Sequence, residues 1–329
     1  MPQPSYTYAN ARLAALSKRL LDPPTIRRMA DGSLADALRT LQDLRYGGYS
    51  DGSDAGVEQL ISAELIEAAE EIRALSPNVK MTDLFLLRTD IQNLKVLLKA
   101  RMLQTKAPEL SAGGVYATET LSDMVRDQLY DALPGTIAAA LNALEKQLSV
   151  RVDPQEISVA LDRAYLQYAL ETVKNDKVLK QYFLSLCDFD NILTFLRVRA
   201  MGGTKEMLDD LLLPEAGIKK QQLMETFDWS FEQLNRILSA SVCREPLLAG
   251  LNAMQHSGNI GDVEKARDNY LISLFTVHQY ETDSIYPIIG YLLAKERESR
   301  AIRLIVTAKR NRLPDSVIAE RLVTLYGQR

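Results

Sequence analysis

Several groups of residues in this chain carry the atoms of a reactive site, and each lacks the spacing such a site needs. His278, Glu281 and Asp283 in "HQYETD" are an imidazole and two carboxylates close in sequence, the beginnings of a metal site. No thiolate or fourth ligand accompanies them, and His256 stands outside any H-E-x-x-H pair, so the stretch reads as a solvated helix end. "SDGSDAG" at 50–56 resembles part of a calcium loop but lacks the bidentate Glu that closes one. "AMGGTKEM" at 200–207 has the glycines and lysine of a phosphate cradle without the G-x-x-x-x-G-K-[ST] spacing, which makes it a helix-ending turn. Cys187 and Cys243 have no histidine near them in sequence to act as a base. Cys187, inside "YFLSLCDF", reads as a small buried apolar residue. The expectation is a chain that is not an enzyme and that uses no nucleotide, metal or cofactor.

One polar pattern does recur. "DIQNLKVLLKAR" runs from Asp90 to Arg101, and ninety-eight positions later stands "DFDNILTFLRVR". Asp90 aligns with Asp188, Asn93 with Asn191 and Arg101 with Arg199. A weaker third copy, "ESRAIRLIVTAK" at 298–309, has Glu298 for the Asp, Ala301 for the Asn and Lys309 for the Arg. At about 100° per residue, the Asp and Arg of one copy come to nearly the same side of a helix, roughly 16 Å apart along its axis. That is too far for them to pair, so each must find a partner on a neighbouring element. Asn93 lies one turn from Asp90 beside the apolar stripe, where a buried amide must be hydrogen-bonded. The pattern reads as a clamp between helices.

The elements that carry these residues are helical. Leu84, Leu87, Ile91, Leu94 and Leu98 step by three and four, one face of a helix. Similar stripes run near 56–75, 118–148, 156–200, 230–254, 260–275 and 285–326, and no alternation is sustained over a strand length. Asp153-Pro154 with Glu156 has the form of an N-cap, a first-turn proline and a first-turn acid. "YGGYSDGSDAG" at 46–56 reads as a surface loop. The fold class is all-α. A loop and another amphipathic helix follow each copy of the pattern, which divides the chain into three similar helical modules, 1–112, 113–216 and 217–329. A net charge of −4 argues against a nucleic-acid binder. No eighteen-residue apolar run and no basic-flanked apolar leader is present, so a cytoplasmic chain is expected.

Charge is unevenly spread. Between Lys295 and Arg312 stand seven basic residues, Lys295, Arg297, Arg300, Arg303, Lys309, Arg310 and Arg312, against Glu296 and Glu298. Such an excess is either a solvated helix with internal pairs or a contact for an acidic partner.

"YTYANARLAALSKRLL" at 6–21, followed by the two strong copies and by "PIIGYLLAKERESRAIRLIVTAKRNRLPDSVIAERL", resembles the C subunits of the V-type and archaeal A-type rotary ATPases, a family that includes the eukaryotic d subunit. The resemblance covers essentially the whole chain. It departs at Ala301, where the family often carries Asn, and in the middle, 105–185. It implies a funnel of three similar lobes about a pseudo-threefold axis, acting as a non-catalytic central-stalk subunit. Its implied partners are the ring of membrane proteolipid subunits, on whose cytoplasmic end it sits, and the central shaft, whose tip it receives. It would thereby couple ATP hydrolysis or synthesis to H+ or Na+ transport, peripheral to the membrane and without contact to nucleic acid. Asp90, Asn93, Arg101, Asp188, Asn191, Arg199 and Glu298 occupy the family's motif positions and are expected to hold the fold. Arg297, Arg300, Arg303, Lys309, Arg310 and Arg312 are expected to include residues facing the shaft. The other reading is a helical-repeat scaffold that binds a peptide or partner helix in a groove. The uneven spacing of the copies fits a short-period solenoid poorly.

Overall fold

Apolar stripes at helical period fold as helices throughout the computed structural model, which describes residues 4–48, 54–148 and 153–322. Among the described residues there is no strand, and the all-α expectation holds. Of the stretch 46–56, which includes the calcium-like 50–56, residues 49–53 lie outside the described residues, 46–48 form a turn, and 54–56 are not loop but the start of the helix Asp54–Leu75. Sequence stripes that looked continuous are broken where the backbone turns. The stripe at 118–148 becomes Thr118–Asp127 and Gly135–Leu148, because Gln128 adopts a left-handed conformation (φ 56°) and ends the first helix. The stripe at 156–200 becomes Pro154–Thr172 and Lys177–Ala200, each started by an aspartate N-cap. Asp153 accepts hydrogen bonds from the Gln155 and Glu156 amides, as its sequence context indicates.

The chain divides into two compact units. One contains the residues up to Thr89, Ser111–Val115 and those from Ile272 onward. Its core gathers Ile26, Met29, Leu41, Tyr46 and Ile61 against Ile302 and Ile305 of the long helix Tyr286–Arg310. Residues far apart in sequence thus share one interior. The helix Pro23–Asp31 opens with the Asp22 cap and a first-turn proline, and Leu34–Asp43 opens with a Ser33–Asp36 capping box.

The second unit contains Asp90–Leu110 and Tyr116–Leu271. Its core is built on Phe189, Ile192 and Phe195 of Lys177–Ala200, packed with Leu223, Leu247 and Val263. Phe195 and Phe227 meet edge to face with centroids 5.8 Å apart. The boundary between units falls inside the helix Val79–Met102, between Thr89 and Asp90.

Candidate functional site

The repeated carboxylates are all buried, and each is tied to backbone. Asp188 is 0 % exposed: Oδ1 accepts from the Ile218 amide at 3.0 Å and Oδ2 from the Ser241 hydroxyl at 2.6 Å. Burial pushes its pKa up, and the bonds from Ser241, Ile218 and Gly217 pull against that rise. One turn on, Asn191 Oδ1 accepts from the Leu213 amide at 2.7 Å, and its amide nitrogen lies 3.4 Å from the Leu213 carbonyl. The helix Lys177–Ala200 therefore holds the connection 213–218 at both ends. Asn191→Leu leaves the Leu213 amide without its acceptor, and stability should fall by about 1–3 kcal/mol. A urea midpoint equal to wild type would remove the clamp at this position.

The other copies repeat the arrangement. Asp90, also 0 % exposed, lies with Oδ1 3.4 Å from the Tyr116 amide, and Asn93 is 2 % exposed. Glu298 accepts from the Leu21 amide at 2.5 Å through Oε2 and from Lys295 Nζ at 2.9 Å through Oε1. Tyr116, Ile218 and Leu21 stand in the same place, two residues before the first residue of a short helix: Thr118–Asp127, Lys220–Glu225 and Pro23–Asp31. Counted from that first residue, positions three, six and seven on are buried in every case. They are Leu121, Met124 and Val125; Leu223, Thr226 and Phe227; and Ile26, Met29 and Ala30. Each carboxylate thus fixes the entry of a short helix with the same buried face.

In the third copy that helix is at the start of the chain. The helix that follows the copy in sequence forms as Asp315–Arg321, and the Glu298 carboxylate goes instead to the Leu21 amide. "LDPPTIRRMA", with its Asp-Pro start and its apolar spacing, was the available signal.

The long helices also end alike. Gln104 (φ 52°), Gly202 (φ 69°) and Arg312 (φ 55°) are left-handed, each fourteen residues after its carboxylate. In each case the next amide donates to a carbonyl five residues back: Thr105 to Ala100 at 2.9 Å, Gly203 to Val198 at 2.8 Å and Leu313 to Ala308 at 2.9 Å. The third copy has lost its asparagine and keeps the backbone.

The basic tails diverge. Arg101 donates to the Val125 carbonyl and grips both oxygens of Glu145, at 2.6 and 2.5 Å. Arg199 is exposed, its guanidinium carbon 5.4 Å from the centre of the Phe195 ring. In the 295–312 segment, Lys295 and Arg297 point inward, 2 % and 5 % exposed. Arg303 Nε meets Glu58 at 3.0 and 3.1 Å, Lys309 meets Asp315 at 2.6 Å, and Arg300 stands 3.4 Å from Glu296. Arg300, Arg310 and Arg312 are exposed.

Lys295 occupies a buried ionic cluster that sequence reasoning missed, having counted it with the surface charge. Its ammonium lies 2.8 Å from Glu64 Oε2 and 2.9 Å from Glu298 Oε1, and 5.4 Å from the centre of the Tyr46 ring. Glu64 Oε1 accepts from the Gly47 amide at 3.0 Å. Burial works against the charge of Lys295, but Glu298 and Glu64 outweigh it and hold the pKa above the ordinary lysine value. Burial dominates at Glu298, whose pKa rises, while at Glu64 burial is outweighed by Lys295 and the Gly47 amide, and its pKa falls.

Cys187 and Cys243 are buried free thiols, and burial raises both, Cys243 to about 11. Among the described residues, no three His, Cys, Asp or Glu side chains are grouped to hold a metal ion. Among them too, no helix is long and apolar enough to cross a membrane.

Residues 9–321 match the ATP synthase (C/AC39) subunit family. The C subunit of the V-type sodium ATPase of Enterococcus hirae is 24% identical over 98% of this chain and 99% of its own length. The C subunit of the A-type ATP synthase of Methanocaldococcus jannaschii is 24% identical over 97% of this chain and 86% of its own. That of Methanosphaera stadtmanae is 26% identical over 97% and 88%. With that match running over nearly its whole length, the chain belongs to the ATP synthase (C/AC39) subunit family, a non-catalytic component of the rotary ATPases.

Proposed function

We propose that this chain is the central-stalk coupler of its ATPase, seated on the membrane rotor ring and receiving the tip of the central shaft. Three helical modules, 1–112, 113–216 and 217–329, surround a pseudo-threefold axis in this reading and form a funnel. The observation that carries it is the clamp shared by Asp90, Asp188 and Glu298. The third carboxylate holds Leu21, at the opening of the first module, so the series closes on itself. Closure of that kind suits a collar that transmits torque, because no module is left with a free end. The transported ion, H+ or Na+, is chosen by the ring.

The shaft contact is assigned to the exposed part of the basic segment, with Arg310 and Arg312 at its end. Clustered charge gives fast, oriented docking without a covalent link. The test is co-purification of the tagged chain with shaft and ring proteins. It is joined by shaft-binding measurements on Arg310→Glu with Arg312→Glu at low and high salt. The double reversal should weaken shaft binding and flatten its salt dependence while the melting temperature holds. Unchanged affinity and unchanged salt slope would make this end a solvated helix terminus. Failure to recover either partner with the wild-type chain would overturn the coupling role.

A further inference from the structure

The two most exposed large apolar residues among those described stand three positions apart in one turn. Val277 is 77 % and Tyr280 80 % exposed. The turn is tied down from within. His278 Nδ1 lies 2.5 Å from Glu281 Oε1, Ser284 donates to Glu281 Oε2 at 2.6 Å, and Asn10 donates to the Ser284 carbonyl at 2.9 Å. His278 also packs against Tyr286, the ring centres 4.8 Å apart. These bonds pin the backbone on the C-terminal side of Val277 and Tyr280. Beside Tyr280 opens a cleft of about 390 Å³ whose wall is Leu13, Leu20, Leu21, Pro23 and Pro287.

We propose that the turn 277–283 and this cleft form the seat for a short basic loop joining two transmembrane helices of the rotor ring. The proposal rests on the coupling role above and names the surface that meets the ring. Its charge favours that occupant. Asp22 at the cleft and Asp283 on the turn set two carboxylates against Lys18, beside the Glu281 carboxylate that His278 and Ser284 already engage. The Asp22 carboxyl is held below its ordinary pKa, first by hydrogen bonding with the Thr25 side chain and then by the Thr25 amide it caps, so its charge persists. Cytoplasmic loops of membrane proteins carry an excess of Lys and Arg beside residues at the apolar interface. Such a loop offers cations to these carboxylates and an apolar side chain to the cleft.

Position within the unit agrees. The turn precedes the helix Tyr286–Arg310, and Arg310 and Arg312 lie at its far end. Twenty-five residues at 1.5 Å each set these ends about 36 Å apart. A coupler needs its two grips at opposite ends of a stiff element, and this helix supplies one apolar and acidic end and one basic end.

The test measures binding of the full chain to purified, detergent-solubilised rotor ring, with shaft binding and melting temperature as companion readings. Val277→Ser with Tyr280→Ser should cut ring affinity at least about tenfold, as loss of two anchor residues does. Asp283→Lys should weaken ring binding and lower its salt dependence. Shaft affinity and melting temperature should match wild type in both variants. Ring affinity within about twofold of wild type in the double variant overturns the proposal while the wild-type chain still binds the ring. A wild-type chain that binds shaft but not ring overturns the ring-seated role itself. Binding to protein-free phosphatidylglycerol vesicles that the double variant loses would replace the ring loop with lipid, and the proposal fails.

Discussion

Lys295→Met should lower the stability of this chain by about 3–5 kcal/mol, the cost of leaving buried charge without its partner. The substitution keeps the length and apolar character of the side chain while removing the ammonium that touches both Glu64 and Glu298, whose side chains are 9 % and 2 % exposed. In the wild type, the raised pKa of Lys295 means that its contribution is complete at neutral pH. It is lost only as pH rises past the ordinary lysine range through the folded value. The variant reverses the dependence. With the ammonium gone, burial is the largest influence left on both carboxylates and pushes them up, so the cluster's contribution is greatest at acid pH and is lost as pH rises through the folded values. The deficit against wild type should therefore shrink on acidification toward pH ~4 and widen near pH ~7. Adding Glu64→Gln and Glu298→Gln to Lys295→Met should recover most of the loss at neutral pH. Urea midpoints across that range decide the matter. A loss under about 1 kcal/mol at neutral pH would mean the cluster is open to water.

What the sequence could and could not disclose follows from what each contact recognises. The first two copies of the pattern were legible because Asp90, Asn93 and Arg101 recur as the same residues at one offset, and because helical spacing puts such groups beside a buried stripe. Their targets were not legible. Asp188 and Glu298 bind backbone amides of Ile218 and Leu21, and an amide is present at every residue except proline. The left-handed ends at Gln104 and Arg312 were hidden for a related reason, since neither is glycine, the residue that marks this conformation in Gly202. Register alone also misled. Arg101 and Arg199 occupy the same position, but only Arg101 has a Glu145 across from it, and the other is exposed. Lys295 was read with the surface cations because its partner Glu64 is 231 residues away.

Gly47→Ala should be nearly as damaging, at about 2–4 kcal/mol, although it adds one methyl group. Gly47 has φ +65°, a conformation that costs an L-residue energy before any contact is considered. A Cβ there would lie 2.2 Å from the Leu60 carbonyl oxygen, 2.6 Å from its Cα and 2.7 Å from its carbonyl carbon. These atoms belong to the backbone of the helix Asp54–Leu75, so no rotamer change can make room. The turn must lift away from the helix. In lifting it withdraws the Gly47 amide from Glu64 and shifts Tyr46 from beneath Lys295. The same ionic cluster is thus attacked from its backbone side, and Gly47→Ala with Lys295→Met should cost less than the two singles added together, by roughly 0.5–3 kcal/mol. Gly135→Ala is the matched control. It opens the helix Gly135–Leu148, has nothing within 4 Å of the added carbon, and should leave stability unchanged or raise it by up to about 1 kcal/mol. If Gly47→Ala unfolds with the wild type, or if the two losses simply add, the turn and the cluster are independent and the close approach to Leu60 yields without cost.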